Sequence, residues 1–165
     1  MNFIRSGYLL LLCGLCSCAS SFTPPSEGPT AKIKKIQYDI LPRPAFFLKG
    51  LSVMIHDIDN EGCLVNARKV SISDPEGILV PANKLVGMSF RGTATADEID
   101  FSYQATCDMR FGMWFKEDQE YVFNIRHGTD GCFITAFNAS TPEVLPLEQV
   151  NRTNAFQNYC IAERF

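Results

Sequence analysis

Acid–base, nucleophilic or redox chemistry near neutral pH would fall in this chain to its two histidines, His56 and His127, or to four cysteines, Cys63, Cys107, Cys132 and Cys160. Each histidine closes a run of alternating apolar residues beside a turn, with no serine or cysteine signature next to it. The expectation is therefore a pair of exposed loop histidines and no catalytic residue. An enzymatic reading would need one of them to meet a carboxylate or hydroxyl in a cleft. The chain carries no nucleophile elbow, phosphate loop or dinucleotide fingerprint. Asp57, Asp59 and Glu61 ahead of Gly62 imitate the opening of a calcium loop, but Arg68 stands where the bidentate carboxylate belongs, so an acidic hairpin turn is expected. No two of the four cysteines lie at a short ligand spacing and neither histidine adjoins one, which argues against zinc. No metal and no cofactor is expected.

These residues must be positioned by strands. Ile33, Ile36, Tyr38 and Ile40 mark a first, stopped by Pro42 and Pro44. Leu51, Val53 and Ile55 share one face of a second, which turns at Asp57–Gly62 and returns through Cys63 and Val65. Val70 and Ile72 lead to the tight turn Asp74, Pro75, Glu76, Gly77, followed by Ile78–Val80. Ile99, Phe101 and Tyr103 alternate with Asp100 and Ser102 as a half-buried strand, and Phe111, Met113 and Phe115 mark another. Tyr121, Phe123 and Ile125 turn through Gly128–Gly131 into Cys132, Ile134 and Ala136, a hairpin signal. Short strands at turn-punctuated intervals predict an all-β fold, an antiparallel β-sandwich, Ig-like or similar. Residues 147–165 could carry a short helix, with Cys160 stapling this C-terminal tail to the body.

The first residues read as a targeting device. Arg5 precedes an apolar run, Gly7–Leu15, too short to span a bilayer. The run ends in Leu15, Cys16, Ser17, Cys18, matching the lipobox of bacterial lipoprotein precursors. Cys13 follows Leu12 and Cys16 follows Leu15, where the peptidase needs a small side chain, so cleavage is expected before Cys18. Residues 1–17 are then a signal peptide and Cys18 carries the acyl chains, palmitate among them; several chains together hold where one would not. Ala19, in place of an Asp that would favour inner-membrane retention, leans towards the outer membrane. Residues 18–31, rich in Ser, Pro and Gly, read as a flexible tether, leaving 32–165 as one sandwich domain.

A periplasmic location oxidises the four domain cysteines into two disulfides, with three connectivities open. The formal charge of −3 is scattered, and no basic stripe exists to suggest nucleic acid or electrostatic membrane binding. No small-molecule substrate is expected. The Asn138 and Asn151 sequons carry no weight in a bacterial protein. In the apolar stretch Met109–Phe115, Arg110 and Trp114 lie opposite the buried face and are the candidate partner-binding residues.

Cys107, Phe111, Gly112, Phe115, Tyr121 and Phe123, with Cys63, Leu64 and Val65 ahead of Val70, Ser71 and Ile72, form a pattern that resembles small periplasmic lipoproteins assigned as type VI secretion immunity proteins. The resemblance covers Leu51 to Asn138. It implies a non-catalytic protein that neutralises a secreted antibacterial effector, with Cys63 bridged to Cys107 and Cys132 left to pair with Cys160. The chain departs from the pattern in an insertion around Val80–Asp97 and in the tail beyond Asn138, where a partner-specific surface could lie. An accessory lipoprotein of an envelope secretion or assembly complex is the alternative reading.

Overall fold

The computed structural model describes residues 20–40, 47–98, 101–128, 131–141, 143–152 and 159–161. Cys18, the leader before it and Ile99 lie outside the described residues. The strands are β1 (Ser20–Ser21), β2 (Thr30–Ile40), β3 (Phe47–Ile58), β4 (Leu64–Val70), β5 (Ile78–Pro81), β6 (Leu85–Glu98), β7 (Phe101–Trp114), β8 (Glu120–Gly128), β9 (Gly131–Asn138), β10 (Val144–Leu145), β11 (Glu148–Arg152) and β12 (Tyr159–Ile161).

Period-two patterning decides which face each strand buries. Along β8, Tyr121, Phe123, Ile125 and His127 are buried while their neighbours are not. Two sheets bring these faces together, a seven-stranded one in the order β1-β4-β3-β6-β7-β11-β12 and a five-stranded one in the order β10-β9-β8-β2-β5. The architecture is the expected all-β sandwich. Its pairings are mostly antiparallel, but β1 runs parallel to β4 and β2 parallel to β8. Neither pair is joined by a hairpin, so nothing local forces the antiparallel sense. Phe90 and Phe111 from one sheet meet Phe123 from the other with ring centroids 5.6 to 5.9 Å apart. Each such buried ring contributes on the order of 1.5–3 kcal/mol.

Several expectations need correction. Residues 80–97, for which the sequence suggested no strand beyond Val80, contain β6, the central strand, paired to β3 on one side and along its whole length to β7 on the other. The two strands expected between Phe101 and Phe115 are one, β7. In the tail, the described residues form β11 and β12 rather than a helix. The tether is partly structured: Ser20 and Ser21 pair with Arg68 and Lys69, Phe22 packs against the core, and Thr30 and Ala31 already belong to β2.

The disulfides join Cys63 to Cys160 and Cys107 to Cys132, not the pairs implied by the resemblance. The register supplies the reason. Cys63 precedes Leu64, which pairs with Ile58, while Cys107 sits five residues along β7 from Gly112, in the row of Gly92. Five residues of strand span about 17 Å, far beyond what a disulfide bridges. Cys107 instead reaches across to β9 in the other sheet. Cys160 arrives beside Cys63 because the large sheet curls until β12 meets the start of β4, where the Ile161 N–H donates to the Gly62 carbonyl.

Candidate functional site

Between β7, β9 and β11 the described strands leave a groove of about 410 Å³. It exists because the two sheets part company here. β9 pairs with β8 along its length, but on its other edge only Ala136 and Phe137 find β10, and no described strand pairs with that edge from Gly131 to Thr135. β7 similarly meets β11 only at Phe111 and Gly112. Met109, Phe133, Ile134, Leu147 and Val150 give the groove its apolar lining, with Phe133 58% exposed. The Cys107–Cys132 disulfide spans its two walls, fixing their separation.

Arg110 borders this groove, but its charge is already engaged. The guanidinium lies 3.6 Å from the Tyr159 ring centroid and donates to Asp108 at 3.0 Å. Its role here is to hold β12 down on β7. Trp114 is on the same face of β7, 59% exposed, and is not among the groove residues. The two candidate residues are thus not gathered into one patch. Sequence reasoning missed Phe133, whose signal was its position: an aromatic at the solvent parity of a strand whose other face holds Cys132, Ile134 and Ala136.

Both histidines depart from the exposed-loop expectation. His127 is buried within β8 and shares a hydrogen bond of 3.0 Å with the Tyr38 hydroxyl across β2. Burial pushes the Tyr38 phenol above its ordinary pKa. His56, within β3, shares a 2.8 Å hydrogen bond through Nε2 with the Ser89 hydroxyl on the neighbouring strand. Burial, then the Arg110 and Arg68 charges, hold His56 below the ordinary imidazole range, with Asp57 opposing.

A serine–histidine pair invites comparison with a nucleophile and its base. The geometry disfavours that use. Ser89 is only 9% exposed and does not line the depression of about 210 Å³ that His56 borders with Asp57, Arg68 and Lys84. The Asp57 carboxylate, which would orient the imidazole in a triad, is held by Arg68 and Asn66. Of the other two calcium-like carboxylates, Asp59 accepts the N–H groups of Glu61 and Cys63 and so shapes the β3–β4 turn. Among the described residues, no group of three or more His, Cys, Asp or Glu side chains is placed to hold a metal ion.

No protein-family model matches the chain, and comparison with curated proteins and with solved structures returns no match.

Proposed function

We propose that this chain is a non-catalytic lipoprotein of the bacterial envelope, acylated at Cys18, that binds a protein partner, most specifically as an immunity protein against a secreted antibacterial effector. The lipobox residues Leu15–Cys18 support the anchor, and the resemblance over Leu51–Asn138 supports the kind of partner. The observation that carries the binding reading is the groove between β7 and β9. It presents an exposed Phe133 beside Met109, Ile134 and Val150 in walls that a disulfide holds apart. Preorganised walls lower the ordering cost of binding, and a desolvated aromatic anchor is where interface energy concentrates.

The test is protection. Cells making the protein together with a secreted effector taken from a neighbouring gene should survive, and purified protein should bind that effector directly. Phe133→Ala should weaken binding by about 2 kcal/mol, roughly thirtyfold, as for a central anchor, with the unfolding midpoint little changed. Undiminished binding and protection by that variant would remove the groove from the mechanism. Co-purification with a secretion or assembly complex, without protection, would favour the accessory role instead.

A further inference from the structure

We infer that the sandwich rests on the lipid surface by the side that contains β1, residues 22–29 and β5, which turns the β7–β9 groove away from the membrane; the inference rests on acylation of Cys18. Ser20 and Ser21 are paired with Arg68 and Lys69, and the Phe22 N–H donates to the Lys69 carbonyl at 2.8 Å, so the chain is already fixed to the sheet at Ser20. Two residues of chain reach at most about 7 Å. A free tether from residue 18 to 31 would instead allow an end-to-end distance of about 20 Å and no fixed orientation.

Whatever holds Cys18 therefore holds the β1 edge. That edge belongs to one side of the sandwich, because residues 22–29 carry the chain from β1 to β2, and residues 71–77 carry it from β4 to β5, the outer strand of the other sheet. The Ala82 N–H closes this side by donating to the Pro29 carbonyl. β7 is three strands beyond β4 in one sheet and β9 three strands beyond β5 in the other, about 14 Å across each. The groove consequently belongs to the opposite side.

Surface chemistry on the anchored side suits shallow contact with headgroups. Ile72 and Leu79, 43% and 38% exposed, are exposed apolar side chains there, whereas exposed Phe133 and Val144 belong to β9 and β10 on the far side. The nearby charges are mixed, with Lys32 and Lys69 set against Glu27, Asp74 and Glu76, so headgroup charge does not drive the contact. The anchor brings the side down and the apolar side chains settle at the interface.

The chain has one tryptophan, which makes orientation readable by fluorescence. In a Trp114→Phe background, Ile72→Trp and Phe133→Trp each place a single indole on one side. Acylated protein from cells would be reconstituted into vesicles of phosphatidylethanolamine and phosphatidylglycerol containing a headgroup-spin-labelled phospholipid. The Ile72→Trp protein should lose most of its emission and shift to the blue; the Phe133→Trp protein should keep the emission it has without lipid. The same pair is repeated with mature protein whose Cys18 is coupled to a maleimide-bearing phospholipid. Equal quenching of the two variants in the coupled protein, or stronger quenching of Phe133→Trp, overturns the orientation alone. An unmodified Cys18 in the protein from cells, read by mass spectrometry, overturns the lipoprotein reading beneath it.

Discussion

Gly87 of β6 and Gly112 of β7 face each other across the large sheet in the same row as His56. A Cβ at Gly87 would come within 2.3 Å of Leu64 Cδ2 and 3.0 Å of His56 Cβ, and one at Gly112 within 3.0 Å of Ile161 Cδ1. The two missing side chains make the hollow into which Leu64 and Ile161 pack as the sheet curls. Gly87→Ala should therefore destabilise the fold by about 1–3 kcal/mol, as overpacking does, measured by urea unfolding. Adding Leu64→Ala should recover part of that loss, because the flexible leucine is the nearer obstacle. His56 beside this row gives a pH dependence with a definite sign. An unfolded imidazole titrates near 6.5, and the folded one below that. Between the two values the unfolded chain binds the extra proton, so stability falls as pH drops through that window and levels off below the folded pKa. His56→Gln should flatten this part of the stability profile relative to the parent protein. An unchanged slope would mean that another group carries it.

At the scale of elements, the β11–β12 hairpin is held to the body by few bonds of its own. β12 has three residues, with Tyr159 stacked under Arg110 and Cys160 tied to Cys63. The Cys63–Cys160 bridge closes a sequence separation of 97 residues and Cys107–Cys132 one of 25. Chain entropy makes their contributions about 4.7 and about 3.5 kcal/mol respectively. Replacing each pair by serines should show that order in urea unfolding. Loss of the first pair alone should also speed hydrogen exchange in β12 and move the His56 pKa towards its ordinary value, since burial and Arg110 both depress it. Peptide mapping without reduction checks the connectivity directly. Here lies the boundary of what the sequence could say. Strands with one clean apolar face, such as Tyr121–Ile125, were legible from alternation alone. β6 was not, although Val86, Met88 and Phe90 alternate: Gly87 and Gly92 leave gaps on the pattern, and only the curled sheet and the Tyr38 ring lying against Gly92 explain them. Disulfide partners and the groove walls join residues that are remote in sequence, and no local pattern encodes such encounters. The histidine partners Tyr38 and Ser89 were hidden for the same reason.

For the molecule as a whole, the decisive boundary is the one between tether and domain, which composition places near residue 32, whereas strand pairing already holds Ser20 and Ser21. Residues 20–29 are poor in apolar side chains, so their order depends on a few contacts. The Phe22 ring packs on the core edge with the Arg68 guanidinium 5.6 Å from its centroid, and backbone pairing covers the outer edge of β4 at Arg68 and Lys69. Such contacts make the segment a protective strip, since an uncovered strand edge is a template for pairing with another chain. A chain beginning at Ser20 should then unfold at the same urea concentration as one beginning at Cys18, because nothing before Ser20 is required to cover β4. A chain beginning at Thr30 should lose about 2 kcal/mol, somewhat less than a fully buried phenylalanine contributes, and should associate with concentration in sedimentation as β4 is exposed. Phe22→Ala in the longer chain separates the two effects: it should reproduce much of the stability loss while keeping the protein monomeric, because the Ser20 and Ser21 pairing survives. Equal stability of the Thr30 chain would restore the whole segment to the status of a tether, and with it the freedom of the domain to rotate about its anchor.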